Sequence, residues 1–184
     1  MENGMVYNLK VPQDRIAVII GHNGETKKRL IRMAGAPLEI ESDTGEVILH
    51  DEESKDPYRA FLTRDVLRAI ARGFTPEKAM LLYEEGMYYE EFDIREYSGK
   101  SHKRIMQVRS RLIGSEGKTR RLIEELTDCH ISIMGNTVGL IGDMEGLKVA
   151  SKAVTMLLSG SEHSTVYSFM ERKRRDLKTS RYGF

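Results

Sequence analysis

The chain has 184 residues, enough for one medium domain or two small ones, and 40% of them are apolar. Its 29 basic and 28 acidic side chains leave a net charge of +1, so bulk charge selects no class of partner. No apolar run approaches the ~20 residues of a membrane span, Met-Glu-Asn-Gly carries no secretion pattern, and a lone Cys129 allows neither an internal disulfide nor a Cys/His zinc site, so the expectation is a cytoplasmic protein with a buried, inert thiol.

Val6 to Val11 alternates and ends at Pro12, as a strand does. Asp14 can cap a short helix running to Ile20, and Gly21–Gly24 breaks it. A second helix with Leu30, Ile31 and Ala34 as its apolar positions ends at Gly35 and Pro37. Leu38–Ser42 and Glu46–His50 read as a hairpin around Asp43-Thr44-Gly45. Pro57 opens a long helix with Tyr58, Phe61, Leu62, Val66, Ala69 and Ile70 on one face. Thr75–Met87 reads as a short helical connector, followed by the acidic stretch 84–96.

The same order then returns. Glu91–Tyr97 is the expected strand, and Ser101 starts a helix that runs toward Ile113. Gly114–Gly117 breaks it before a helix carrying Leu122, Ile123 and Leu126. His130–Met134 and Val138–Ile141 make a hairpin, and Leu147 to Leu158 mark a last long helix capped near Gly160. Ser164 to about Lys178 reads as a basic C-terminal helix with Val166, Phe169 and Met170 as its apolar part.

One fixed offset carries the first half onto the second. Ile20, Gly21, Gly24, Thr26, Lys27 and Lys28 fall on Ile113, Gly114, Gly117, Thr119, Arg120 and Arg121. Agreement through glycine, basic and apolar positions together points to one small module built twice. The order strand, helix, Gly-x-x-Gly, helix, hairpin, helix matches the type I K-homology (KH) arrangement; type II needs more elements before the glycine turn than some twenty residues hold. The expected fold is therefore α+β: two type I KH domains, each β-α-α-β-β-α with a three-stranded antiparallel sheet and helices on one face, plus a C-terminal helix. The expected boundaries are 1–73, a linker at 74–90, 91–160, and a basic helix and tail at 161–184.

A glycine turn between two helices lets a sugar–phosphate backbone approach the main chain without meeting a Cβ. The helix that follows offers unpaired N–H groups and a partial positive charge at the same point. In KH modules this loop clamps about four single-stranded nucleotides. The candidate RNA-binding residues are Gly21, His22, Asn23, Gly24, Lys27 and Lys28 in the first copy, and Arg111, Gly114, Ser115, Glu116, Gly117, Lys118, Arg120 and Arg121 in the second. The second is the expected main site, because residues 100–121 hold eight Lys and Arg against Glu116 alone. Glu116 opposes phosphate, but an exposed charge is screened beyond about 8 Å at physiological salt.

Three rivals are weaker. Gly117-Lys118-Thr119 echoes a phosphate-binding P-loop, yet Leu112 stands where that motif needs its first glycine. The carboxylates of 84–96 suit a nuclease only if they share a pocket with a metal, and the scattered His50, His102, His130 and His163 have no catalytic spacing. A KH-fold scaffold that binds proteins alone would lack the steep salt dependence of phosphate contacts. No catalytic residue, metal ligand or cofactor is assigned.

Two modules, the run Leu-Ile-Gly-Ser-Glu-Gly-Lys-Thr-Arg at 112–120, and His163-Ser164-Thr165-Val166-Tyr167-Ser168-Phe169 before a basic tail resemble the partner-of-Nob proteins, KH-domain ribosome-assembly factors related to the Krr factors. The resemblance covers nearly the whole chain, and the compact length is like that of archaeal members. It implies binding near the 3′ end of small-subunit ribosomal RNA during maturation, and contact with the endonuclease Nob and other ribosome-associated proteins. It also implies that Gly114, Ser115, Glu116, Gly117 and Lys118 face RNA. Eukaryotic members usually lack the glycine signature in the first module, whereas Gly21 and Gly24 keep it here.

Overall fold

The structure, a computed structural model, describes the chain from residue 6 to residue 182, with side chains as far as residue 175. Lys178 and Arg181 of the basic tail lie outside the described side chains. The chain divides into two compact units, residues 1–85 and 86–184.

In the first unit, β1 (Tyr7–Lys10) leads to α1 (Gln13–Ile20), the glycine turn, and α2 (Glu25–Ala34). The strands β2 (Leu38–Glu41) and β3 (Glu46–Leu49) follow, then α3 (Pro57–Ala71) and α4 (Pro76–Met80). The sheet order is β1-β3-β2, antiparallel throughout, with Leu49 opposite both Tyr7 and Leu38. Pro12 rather than Asp14 holds the N-cap position of α1; Asp14 sits in the first turn, where a carboxylate favours the helix dipole. Asp56 caps α3 by accepting from the Arg59 N–H, and Pro57 occupies the first turn, where a missing N–H costs nothing. From α1, the Arg15 guanidinium donates to the carbonyls of Ile70 (2.8 Å) and Phe74 (2.5 Å), satisfying the open C-terminal end of α3.

The inward face of α3 is not the one its aromatics suggest. Tyr58 and Phe61 are 69% and 57% exposed, while Ala60, Thr63, Val66, Leu67 and Ile70 are buried. α4 and the turn after it bury Ala79, Met80 and Leu82, and Tyr83 meets the Thr63 hydroxyl at 2.7 Å.

In the second unit, β4 (Met87–Asp93) is followed by a short α5 (Arg95–Ser98), α6 (His102–Ile113), the second glycine turn and α7 (Lys118–Thr127). Then come β5 (His130–Met134), β6 (Thr137–Asp143), α8 (Met144–Leu158) and α9 (His163–Tyr182). The order β4-β6-β5 repeats that of the first sheet. β4 starts four residues before the expected Glu91. It stops at Asp93 because that carboxylate accepts the Arg95 N–H at 2.8 Å and turns the chain into α5. The core joins Leu112, Ile123, Leu140, Val154 and Leu157 with Val166 and Met170 of α9.

This corrects the fold expectation in one respect. The C-terminal helix is not an addition to a finished domain: Val166 and Met170 are fully buried in the core of the second unit, so α9 is one of its layers. The two halves share strand order and turn geometry, but the first has α4 and a tight turn where the second has this long helix.

Candidate nucleic-acid interface

Both glycine turns are built the same way. The N–H of Gly21 donates to the Ala17 carbonyl (2.8 Å) and that of Gly114 to the Ser110 carbonyl (2.8 Å), closing the last turns of α1 and α6. Both first glycines then turn out of the helix, at φ 74°, ψ 171° for Gly21 and φ 72°, ψ 173° for Gly114. Asn23 and Glu116 follow in the left-handed region, each with φ 52°. Gly24 (φ 73°) and Gly117 (φ 76°) end the turns and lead directly into α2 and α7.

The two glycines of a turn serve different needs. A Cβ on Gly114 would lie 2.7 Å from the backbone nitrogen of Thr119 and 2.9 Å from its Cβ. Gly21 stands in the same relation to Thr26, at 2.8 Å. The first glycine thus permits a close approach to the chain's own next helix. The last glycine faces open space: the nearest atom to a Cβ on Gly117 would be Arg121 Nη1 at 3.8 Å, and on Gly24 Lys28 Cε at 4.0 Å. A ligand backbone can come close there.

Neither α2 nor α7 has a side-chain cap at its start; the first N–H of each donates within the turn, Glu25 to the His22 carbonyl and Lys118 to the Ser115 carbonyl, and an anion would meet the N–H groups that follow. α2 carries Glu25 in its first turn, whereas α7 has no acidic residue there. Ser115, Glu116, Lys118, Arg120 and Arg121 are exposed around the second turn, as are His22, Asn23 and Lys28 around the first, with Lys27 half-buried. Lys28 Nζ folds back on the Asn23 carbonyl at 3.3 Å.

Arg111 departs from this set. It is half-buried, its guanidinium donates to the Ser161 carbonyl, and its Nε is shielded from solvent. It forms a wall beside the turn rather than a free surface cation. The structure also adds residues that motif reading missed. Thr119 is buried, and its hydroxyl is 2.7 Å from that of Tyr167 on α9. His163 Nε2 donates to the Arg111 carbonyl at 2.9 Å. The signal was available in the tail, because residues 163 and 167 are four apart and share one helical face. With its hydroxyl occupied and Leu112 fully buried, the Gly117-Lys118-Thr119 run lacks the parts of a nucleotide-binding P-loop.

Among the described residues, His50, Glu52 and Glu53 bring ligand atoms within 4.8 Å of one another. His50 is engaged by Glu39 (3.1 Å) and Glu52 (3.4 Å), an ion-pair cluster in the first unit.

Residues 88–175 match the family described as the eukaryotic type KH-domain (KH-domain type I), in its PNO1 second-domain form. Over 174 residues the chain is 41% identical to the KH domain-containing protein MJ0443 of Methanocaldococcus jannaschii, covering 95% of this chain and 76% of that protein. The crystal structure of Dim2p from Pyrococcus horikoshii OT3 superposes with a TM-score of 0.82 at 38% identity, over 92% of this chain and 99% of that one. The chain belongs to the PNO1/Dim2p family of KH-domain ribosome-assembly proteins. A protein of unknown function from Aeropyrum pernix, APE0754, shares the fold at a TM-score of 0.88 and 34% identity, over 96% of this chain and 94% of that one. The a/eIF2alpha-aDim2p-rRNA complex of P. horikoshii contains a further Dim2p chain, with a TM-score of 0.84 and 38% identity, over 94% of this chain and 95% of that one.

The family match also corrects the domain count. The expectation was two type I KH domains; the match supports one, at residues 88–175, and it runs on into α9. The first half is KH-like in strand order and turn geometry. Its strands are four residues each, against five to seven in the second half, and its described residues include no long helix like α9.

Proposed function

We propose that this protein is a non-enzymatic, single-stranded RNA-binding factor of small-subunit ribosome assembly, acting near the 3′ end of the ribosomal RNA. In this reading the turn Gly114-Ser115-Glu116-Gly117 and the start of α7 grip the RNA backbone. The observation that carries it is the bare Gly117 bend, open to solvent, at the uncapped start of a helix flanked by exposed Lys118, Arg120 and Arg121. A Dim2p with the same fold is known in complex with a/eIF2alpha and rRNA, which supports an rRNA ligand here. Gly21, His22, Asn23, Gly24, Lys27 and Lys28 form a weaker second grip, because Glu25 sits in the first turn of α2. As further parts of this proposal, the protein works in the cytoplasm with the endonuclease Nob and other ribosome-associated proteins, as the resemblance of its motifs implies.

The test is binding of a single-stranded oligoribonucleotide from the 3′ end of small-subunit rRNA. Gly117→Asp puts a side chain and a negative charge where phosphate would lie, and affinity should fall at least about tenfold, the scale of one charge-assisted contact. Gly24→Asp should cost less. Unchanged affinity in Gly117→Asp would refute the assignment of the grip.

A further inference from the structure

A groove of about 420 Å³ opens beside the second glycine turn, on the side covered by α9. Gln107, Ser110 and Arg111 of α6 form one wall, Ser115 and Lys118 the lip, and His163 and Tyr167 of α9 the other wall. None of its lining residues is a carboxylate, and Glu116, the acidic residue of the turn, does not line it. The polar groups offered are hydroxyls, an amide, an imidazole, a guanidinium and an ammonium. This set suits a ligand with anionic and hydroxyl oxygens, and the RNA strand held at the adjoining turn brings both.

The walls are fixed in advance. Arg111 is held by the Ser161 carbonyl, His163 Nε2 by the Arg111 carbonyl, and the Tyr167 hydroxyl by Thr119. The His163 and Tyr167 rings lie 5.9 Å apart, tilted by 58°. A ligand entering the groove meets a preformed surface and orders few side chains on binding.

We infer that this groove is a second subsite for the RNA backbone, taking the phosphate and ribose of a nucleotide adjoining those gripped at Gly114–Gly117. The C-terminal helix is then part of the RNA track as well as of the core. The inference rests on the reading that the turn binds single-stranded RNA. It adds Gln107, Ser110, His163 and Tyr167 to the interface, and it requires a footprint longer than the four nucleotides of a glycine turn alone.

The experiment compares a four-nucleotide RNA with the same RNA lengthened by three nucleotides at its 5′ or its 3′ end. Each is bound to the full-length wild type, to Ser110→Glu and to Gly117→Asp, over a range of salt. Ser110 is exposed on α6, so a glutamate there places a negative charge in the groove without disturbing the core. Gln107→Glu serves as a second variant of the same kind.

Lengthening at one end should improve wild-type affinity about tenfold and steepen the salt slope by about 0.7 per added phosphate contact. Ser110→Glu should lose most of that gain while binding the four-nucleotide RNA within about threefold of wild type. The inference is overturned if neither extension helps, or if Ser110→Glu matches wild type on the long RNA or weakens both lengths by one factor. If Gly117→Asp binds both lengths normally, the reading of the turn itself fails, which is a separate outcome.

Discussion

The two glycines of the second turn make a pair of substitutions with unequal consequences. Gly114→Ala must hold an alanine at φ 72°, ψ 173°, a region that is essentially glycine-only and costs of order 1–3 kcal/mol. The new Cβ would also stand 2.7 Å from the Thr119 backbone nitrogen. Thr119 is 1% exposed and tied to Tyr167, so it has little freedom to yield, and overpacking adds about 1–3 kcal/mol. The sum is about 2–6 kcal/mol, a large part of the ~5–15 kcal/mol that holds a typical domain together. Gly117→Ala meets nothing closer than Arg121 Nη1 at 3.8 Å and bears only the left-handed backbone cost of about 1–2 kcal/mol. Hydrogen exchange on peptides from α6, α7 and α9 of the full chain reads this directly. Gly114→Ala should lose protection across all three, and Gly117→Ala should keep most of it. Equal protection in the two variants would refute the division between a packing glycine and an approach glycine.

Other consequences follow from single contacts. Tyr167→Phe leaves the buried Thr119 hydroxyl without its 2.7 Å partner, so denaturant unfolding of the second unit should show a loss of about 1–3 kcal/mol, and an unchanged midpoint would contradict the contact. Around His50, burial works against the charged ring, but the hydrogen bonds and charges of Glu52 and Glu39 outweigh it and raise its pKa above the ordinary 6.5. The stabilisation is then fully present below pH 6.5 and is lost as pH rises through the raised value; an NMR titration placing His50 at or below 6.5 would exclude it, and Glu52→Gln should bring the pKa down. Cys129 is 2% exposed, so iodoacetamide should label it only after denaturation, and rapid labelling of the native chain would show that the thiol is reachable.

Much of the architecture was legible because it was written twice. Gly21 and Gly24 recur as Gly114 and Gly117 with matching apolar residues on either side, and both copies fold into the same turn and strand order. Where the reading failed, periodicity lacked the information. Tyr58 and Phe61 have the spacing of an inward stripe on α3, but the face of a helix is chosen by which residues its neighbours can accommodate, and here those are Ala60, Thr63 and Leu67. A separate matter is Arg111, whose half-burial and bond to the Ser161 carbonyl are tertiary features that its basic run does not reveal. The long reach of Thr119 to Tyr167 is likewise invisible to local pattern, although the tail motif marked the helix that supplies it.

The two turns share a backbone, and this bears on how they divide the work. Gly24 and Gly117 have φ, ψ of 73°, 16° and 76°, 17°, so main-chain geometry cannot make one turn a better grip than the other. The difference must come from what surrounds them. The first helical residue is Glu25 in one copy and Lys118 in the other, a reversal of charge at the end of the helix dipole where an anion would sit. Behind the second turn, α9 holds Thr119 through Tyr167 and the Arg111 carbonyl through His163, and supplies one wall of a carboxylate-free groove; among the described residues, the first unit has only the short α4 and a tight turn after α3. A glycine bend can therefore be duplicated without duplicating its affinity. Exchanging Glu25 for Lys alone should strengthen the first grip by the charge term, but not confer the longer footprint, because that belongs to α9, which has no counterpart among the described residues of the first unit.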